Sequence, residues 1–179
     1  MTERWARFDT ESNALDNLEK MAMFLSRVRE NPEDWKWVVI SCFSALYSYA
    51  IQVAKGTDDL SVLEGKEGKK KLISFQKALE YCEVPIGARG ALELTEEEKT
   101  SIEKIQKVFR NNFEHYNPGS WSIEISGFPQ HILNALPVIR RLAMDHNFYT
   151  HMDEAQRERL HQALASCGKL ATQLRDEYT

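Results

Sequence analysis

The sequence predicts an all-α protein, an antiparallel bundle of about five to six helices. Apolar residues recur three and four positions apart through most of the chain, which is the period of an amphipathic helix. Structure-breaking residues are sparse, with only 8 Gly and 5 Pro among 179 residues. The size suits a real core, because a domain of roughly 150 residues already buries about 68–70% of its unfolded surface. No repeat and no low-complexity linker divides the chain, so residues 1–179 read as a single helical domain.

The first helix is expected from about Thr10 to Glu30, with Leu15, Leu18, Met21, Phe24, Leu25 and Val28 supplying its apolar positions. Asn31-Pro32 ends it, since proline suits a first helical turn and disfavours helix in the residue before it. The second helix, about Glu33 to Lys55, is apolar on nearly every side and belongs at the centre of the bundle. Its run WKWVVISCFSALYSYAIQVA approaches membrane-spanning length, but Lys36, Ser41, Ser44, Ser48 and Gln52 favour a buried core helix. Gly56 is a natural stop, and a short turn fits Asp58 to Leu63. The third helix is read over about Lys69 to Cys82, before a loop marked by Pro85, Gly87 and Gly90.

Thr95 followed by Glu98 matches a capping box, so the fourth helix starts there and runs to about His115 or Tyr116. Asn117-Pro118-Gly119 stops it. A short extended piece is expected at 121–125, where Trp121, Ile123 and Ile125 alternate with polar residues. A fifth helix follows near Gln130 to Met144 and a sixth spans Asp153 to Glu177.

Composition narrows the function. A 42% hydrophobic, 28% charged chain is soluble and globular in profile. A net charge of −4 argues against a general nucleic-acid coat and leaves room only for a local basic patch. Cys42, Cys82 and Cys167 are odd in number and far apart, so they suggest neither a disulfide framework nor a zinc site; they read as buried thiols in a reducing compartment. The polar, acidic start MTERWARFDTESN is not a secretion signal, and a cytoplasmic location is expected. No P-loop, GxSxG elbow or HExxH is present, and neither a cofactor nor a metal is expected. Asp145, His146, His151 and Asp153 are metal-type residues at a spacing that matches no familiar site, and an ordinary inter-helix loop with Asp153 as a helix cap accounts for them.

Two stretches carry candidate chemistry. Lys66, Lys69, Lys70 and Lys71 cluster in GKEGKKK, either as a solvated loop or as a phosphate-contacting patch. Arg110-Asn111-Asn112-Phe113-Glu114-His115 closes the fourth helix. At about 100° per residue, Ile102, Ile105, Phe109, Phe113 and Tyr116 form the core stripe, while Asn111 and His115 fall one turn apart on the opposite side, with Arg110 and Glu114 between. Two readings stand: a solvated helix end in which Arg110 and Glu114 pair, or a small site for phosphate chemistry. Imidazole performs acid and base roles near neutrality, and guanidinium matches phosphate oxygens in a two-pronged geometry.

This hexapeptide resembles the Arg-polar-x(3–5)-His signature of HEPN domains, helical modules of many prokaryotic toxins and defence nucleases. WKWVVISCFSALYSYAIQVAKGT and SWSIEISGFP also look like segments of small bacterial HEPN-like proteins, so the resemblance spans most of the chain. It implies metal-independent endoribonuclease chemistry at a cleft between two protomers, hence a homodimer, an RNA substrate, and a cognate antitoxin or phage-defence partner protein, with no membrane. His115 would be the acid or base at the ribose 2′-hydroxyl or the leaving oxygen, Arg110 would stabilise phosphate charge, and Asn111 would orient these groups. A single histidine does not easily serve as base and acid together, which gives the pairing of protomers a physical reason. Glu114 stands as a potential neutraliser of Arg110, and many HEPN-like proteins act as non-catalytic binding modules.

Overall fold

The computed structural model describes residues 5, 9–66, 68–85, 90–114, 122–144 and 149–179. Helix α1 (Thr10–Leu25) is capped by Asp9, whose carboxylate accepts the Ser12 N–H at 2.7 Å. It stops at Leu25 rather than near Glu30, because the Ser26 hydroxyl turns back onto the Met23 carbonyl at 2.7 Å and residues 26–30 form turns. Helix α2 (Trp35–Lys55) follows a single 3₁₀ turn at Pro32–Asp34, where buried Asp34 pairs with Arg27 at 2.9 Å. The stretch Pro32–Lys55 is long and apolar enough to cross a membrane, yet 72% of its apolar window is buried inside the fold, as in a core helix.

The expected third helix is shorter than its pattern. Lys71 and Leu72 form strand β2 (Lys71–Leu72), paired antiparallel with β1 (Leu63–Glu64) through Leu63 opposite Leu72 and Glu64 opposite Lys71. Gly65 and Gly68 sit at φ +119° and +78°, conformations that reverse the chain and that side chains rarely adopt. A Cβ on Gly65 would meet the Lys69 carbonyl oxygen at 2.8 Å. The helix therefore begins only at α3 (Phe75–Cys82), where Ser74 accepts the Lys77 N–H at 3.3 Å. The two-stranded piece lies here and not at 121–125: among the described residues, 122–125 pair with no strand, and Trp121 falls outside them. Ile123 and Ile125 satisfy their alternation by packing half-buried against the core.

Helix α4 (Glu96–Glu103) starts with the predicted capping box, Glu98 N–H on Thr95 at 3.2 Å and Thr95 N–H on Glu98 at 2.9 Å. Its winding then widens into a π-helical segment, Lys104–Arg110, before closing as a last turn, α5 (Asn111–Glu114). Helix α6 (Phe128–Ala143) carries Pro129 in its first turn, and α7 (Glu154–Tyr178) is capped by Asp153, which accepts the Gln156 N–H at 2.7 Å.

The contacts fix the helix directions. Asn13 meets Ser48 while Phe24 stacks on Trp37, so α1 and α2 run antiparallel. Glu98 pairs with Arg141 and Phe109 packs on Phe128, which sets α4 against α6 in the same way. Trp35 is edge-on to Phe128 at 5.3 Å and its indole N–H donates to the Tyr178 hydroxyl at 3.2 Å, joining α2 to the start of α6 and the end of α7. The result is the antiparallel all-α bundle read from the sequence, with α2 at its axis. Cys42, Cys82 and Cys167 are all buried, and burial pushes the Cys167 thiol up to about 12, so none is poised as a nucleophile.

Candidate functional site

The π-helical segment changes what the hexapeptide presents. In a π-helix each turn takes more than the usual 3.6 residues, so a wheel drawn at a constant angle drifts across Lys104–Arg110. Ile102, Ile105 and Phe109 keep the core stripe and are buried, and Phe113 is half-buried against the core. Val108, by contrast, stands 46% exposed. Arg110 does not point freely to solvent. Its guanidinium lies 5.0 Å from the ring centre of Phe43 on α2, its Nη1 donates to the Asn111 side-chain oxygen at 3.3 Å, and Nη2 forms an ion pair with Glu114. Arg110 and Glu114 are each about one-third exposed, so the predicted i,i+4 pair exists and is half sheltered. His115 and Tyr116 lie outside the described residues. Of the three candidate catalytic side chains, the structure therefore brings Arg110 and Asn111 into direct contact.

The four lysines sit on the hairpin, Lys66, Lys69 and Lys70 in its connection and Lys71 on β2, all exposed. The strand that carries Lys71 runs into an aromatic cluster: Tyr47 donates to the Ile73 carbonyl, Phe75 packs edge-on to Phe43 at 5.1 Å, and Tyr47 is 5.8 Å from Phe75. Phe43 is also the ring under Arg110. The lysine hairpin and Arg110 thus flank one aromatic cluster on α2, a proximity that no sequence spacing announced. Beside it a surface groove of about 500 Å³ is lined by Asn13, Ser44, Tyr47, Ser48 and Leu72, with Asp9 and Thr10 at the start of α1.

Other expectations resolve more simply. Asp145 and His146 lie outside the described residues, His151 is exposed, and Asp153 serves as a helix cap. Among the described residues no three His, Cys, Asp or Glu side chains come together as a metal site. Trp35 is a core anchor, whereas Trp37 is 43% exposed, stacked on Phe24 with the Lys36 ammonium 4.9 Å from its ring centre.

A second polar cluster was not foreseen. Gln130 donates to the Asn134 side-chain oxygen at 2.8 Å, Asn134 donates to the Ser101 hydroxyl at 3.0 Å, and Ser101 lies 3.1 Å from His131 Nδ1. Because Ser101 already accepts from Asn134, its own proton goes to Nδ1, and the imidazole carries its hydrogen on Nε2. Burial, and then Lys104, hold the His131 pKa below its ordinary value. The folded protein thus prefers neutral His131, and the unfolded chain takes the proton first as pH falls. This contribution to stability is complete above about pH 6.5, the ordinary value, and is lost as pH drops below it. The urea midpoint is expected to fall between pH 7.5 and pH 5.5, and His131→Gln should flatten that fall; an unchanged slope in the variant would refute the assignment. The sequence gave no sign of this relay, because its members lie about thirty residues apart on α4 and α6.

In comparisons with protein-family models, curated proteins and solved structures, nothing matches the chain.

Proposed function

We propose that this chain is a HEPN-like protein acting as a metal-independent endoribonuclease of the toxin or phage-defence type, working as a cytoplasmic homodimer. The observation that carries this reading is the convergence of Arg110, Asn111 and the exposed hairpin lysines around the Phe43, Tyr47 and Phe75 cluster. An RNA strand needs that combination: cations for phosphates, aromatic surface for bases, and a guanidinium at the phosphate to be cleaved. His115 is the acid or base, and a second protomer supplies the complementary role. In this reading Glu114 is a competitor: its carboxylate occupies the arginine that a phosphate must displace, so the protein rests in a held-off state. A cognate antitoxin or defence partner would act on that balance.

A second reading has its own support. Arg110 is engaged on every side, by Glu114, by Asn111 and by the Phe43 ring, as a structural arginine would be. The same motif would then organise a non-catalytic module that dimerises or holds RNA without cutting it. Incubation of the purified protein with RNA in excess chelator separates the two, comparing wild type with Arg110→Ala and His115→Ala. The endoribonuclease reading predicts cleavage by wild type alone. No cleavage by wild type, or cleavage that survives both substitutions, removes it, and retained RNA binding without cleavage selects the second.

A further inference from the structure

On the flank of the π-helical segment that faces α6, away from Arg110, the surface opens into a groove of about 310 Å³. That volume is at the lower end of small-molecule pockets, roughly 300–1,000 Å³. The π-segment contributes Lys104 and Val108, the stretch before α6 contributes Ile123 and Glu124, and the start of α6 contributes Gly127 and His131. Phe109 and Phe128, with ring centres 4.2 Å apart, complete its apolar surface.

Three unlike polar groups meet here. The Lys104 ammonium is a cation. His131 presents its Nε2–H, fixed in that tautomer by the Gln130, Asn134 and Ser101 relay, and a Cβ built on Gly127 would sit 3.8 Å from this nitrogen. Glu124 is held as a carboxylate by the Ser126 N–H at 2.6 Å, a bond that keeps its pKa below the usual carboxylate range. A relay that spends three buried or half-buried side chains on orienting one imidazole pre-organises a donor at a fixed place.

The combination excludes simple ligands. A lone anion suits Lys104 and His131 but is repelled by Glu124, and a lone cation meets the reverse problem. A neutral apolar molecule leaves all three groups without partners, at a desolvation cost. A zwitterion with an apolar body satisfies everything at once. We propose that this groove binds a free α-amino acid with an apolar side chain of leucine or phenylalanine size. The carboxylate pairs with the Lys104 ammonium and the His131 Nε2–H, the ammonium pairs with Glu124, and the side chain lies against Val108, Ile123 and the two phenylalanine rings. This site is independent of RNA cleavage and of Arg110.

The test is calorimetric titration of the full chain with L-leucine and L-phenylalanine, alongside two analogues that each lack one charge, 3-phenylpropionate and phenethylamine. Binding of an amino acid is expected, and both analogues should bind more weakly. Lys104→Ala should weaken binding about tenfold, the size of one lost charge-assisted hydrogen bond. Gly127→Leu should abolish it by filling the groove. Lys107→Ala is the control, because Lys107 has the same charge on the same segment but pairs with Glu103 at 3.3 Å outside the groove. Should Gly127→Leu lose its helical circular dichroism, the contrast of Lys104→Ala with Lys107→Ala decides alone. Absence of binding up to the solubility limit overturns the proposal. So does equal affinity for either single-charge analogue, or equal loss in the two lysine variants.

Discussion

His115→Ala is expected to slow RNA cleavage by about 10²–10⁴-fold, the usual contribution of a positioned acid or base, while leaving the far-UV circular dichroism unchanged. The effect should exceed that of removing RNA affinity alone, so it must persist at saturating RNA. Glu114→Gln should act in the opposite direction. The Arg110–Glu114 pair is partly exposed and offers about 0.5–1 kcal/mol to whatever holds the guanidinium, so its removal should tighten RNA binding about two- to fivefold. A Glu114→Gln protein that binds RNA no better than wild type would show that the carboxylate does not compete with phosphate. The pair of variants thus tests the acid or base and the held-off arginine separately.

The second large effect falls on the core. Trp35→Ala is expected to destabilise the fold by about 3–5 kcal/mol, the range for truncating a buried large aromatic. Trp35 is 1% exposed, edge-on to Phe128, and hydrogen-bonded to Tyr178, so its removal opens a cavity where three helices meet and strands a hydroxyl. Against a total of about 5–15 kcal/mol, that loss is large. Trp35→Phe should recover part of the packing but not the bond to Tyr178. Chemical denaturation measures both; a cost under about 1 kcal/mol for the alanine variant would deny Trp35 its place at the centre. Phe128 also packs on Phe109, the residue before Arg110, so this damage should reach the site.

Much of the architecture was legible because it follows from periodicity and caps. Leu15, Leu18 and Met21 on α1, and the all-round apolar face of α2, announced buried helices, and Thr95 with Glu98 and Asp153 with Gln156 marked helix starts that local hydrogen bonds fulfil. Lys69 to Leu72 deceived because their composition suits a helix, while two glycines with positive φ sent the chain into a hairpin. The alternation at Ile123 and Ile125 was real, but half-burial against helices satisfied it without a strand partner. In the candidate site, the Arg110–Glu114 pair is local and was readable. The Phe43 ring beneath Arg110, the nearby lysine hairpin and the His131 relay depend on distant segments meeting, and their spacing carries no trace of it.

The widened winding of Lys104–Arg110 also works as a gear between the two faces of its helix. A π-segment behaves as an α-helix with an inserted residue, so excising one residue such as Gln106 would let the stretch rewind as ordinary helix. Everything beyond would then turn by about 100° relative to Glu96–Glu103. Arg110 would swing off Phe43, and Lys104 and Val108 could no longer both keep their places relative to it. One local feature of backbone winding therefore sets the phase between a candidate RNA face and a candidate small-molecule groove, and a chain shorter by one residue would keep the bundle while uncoupling them.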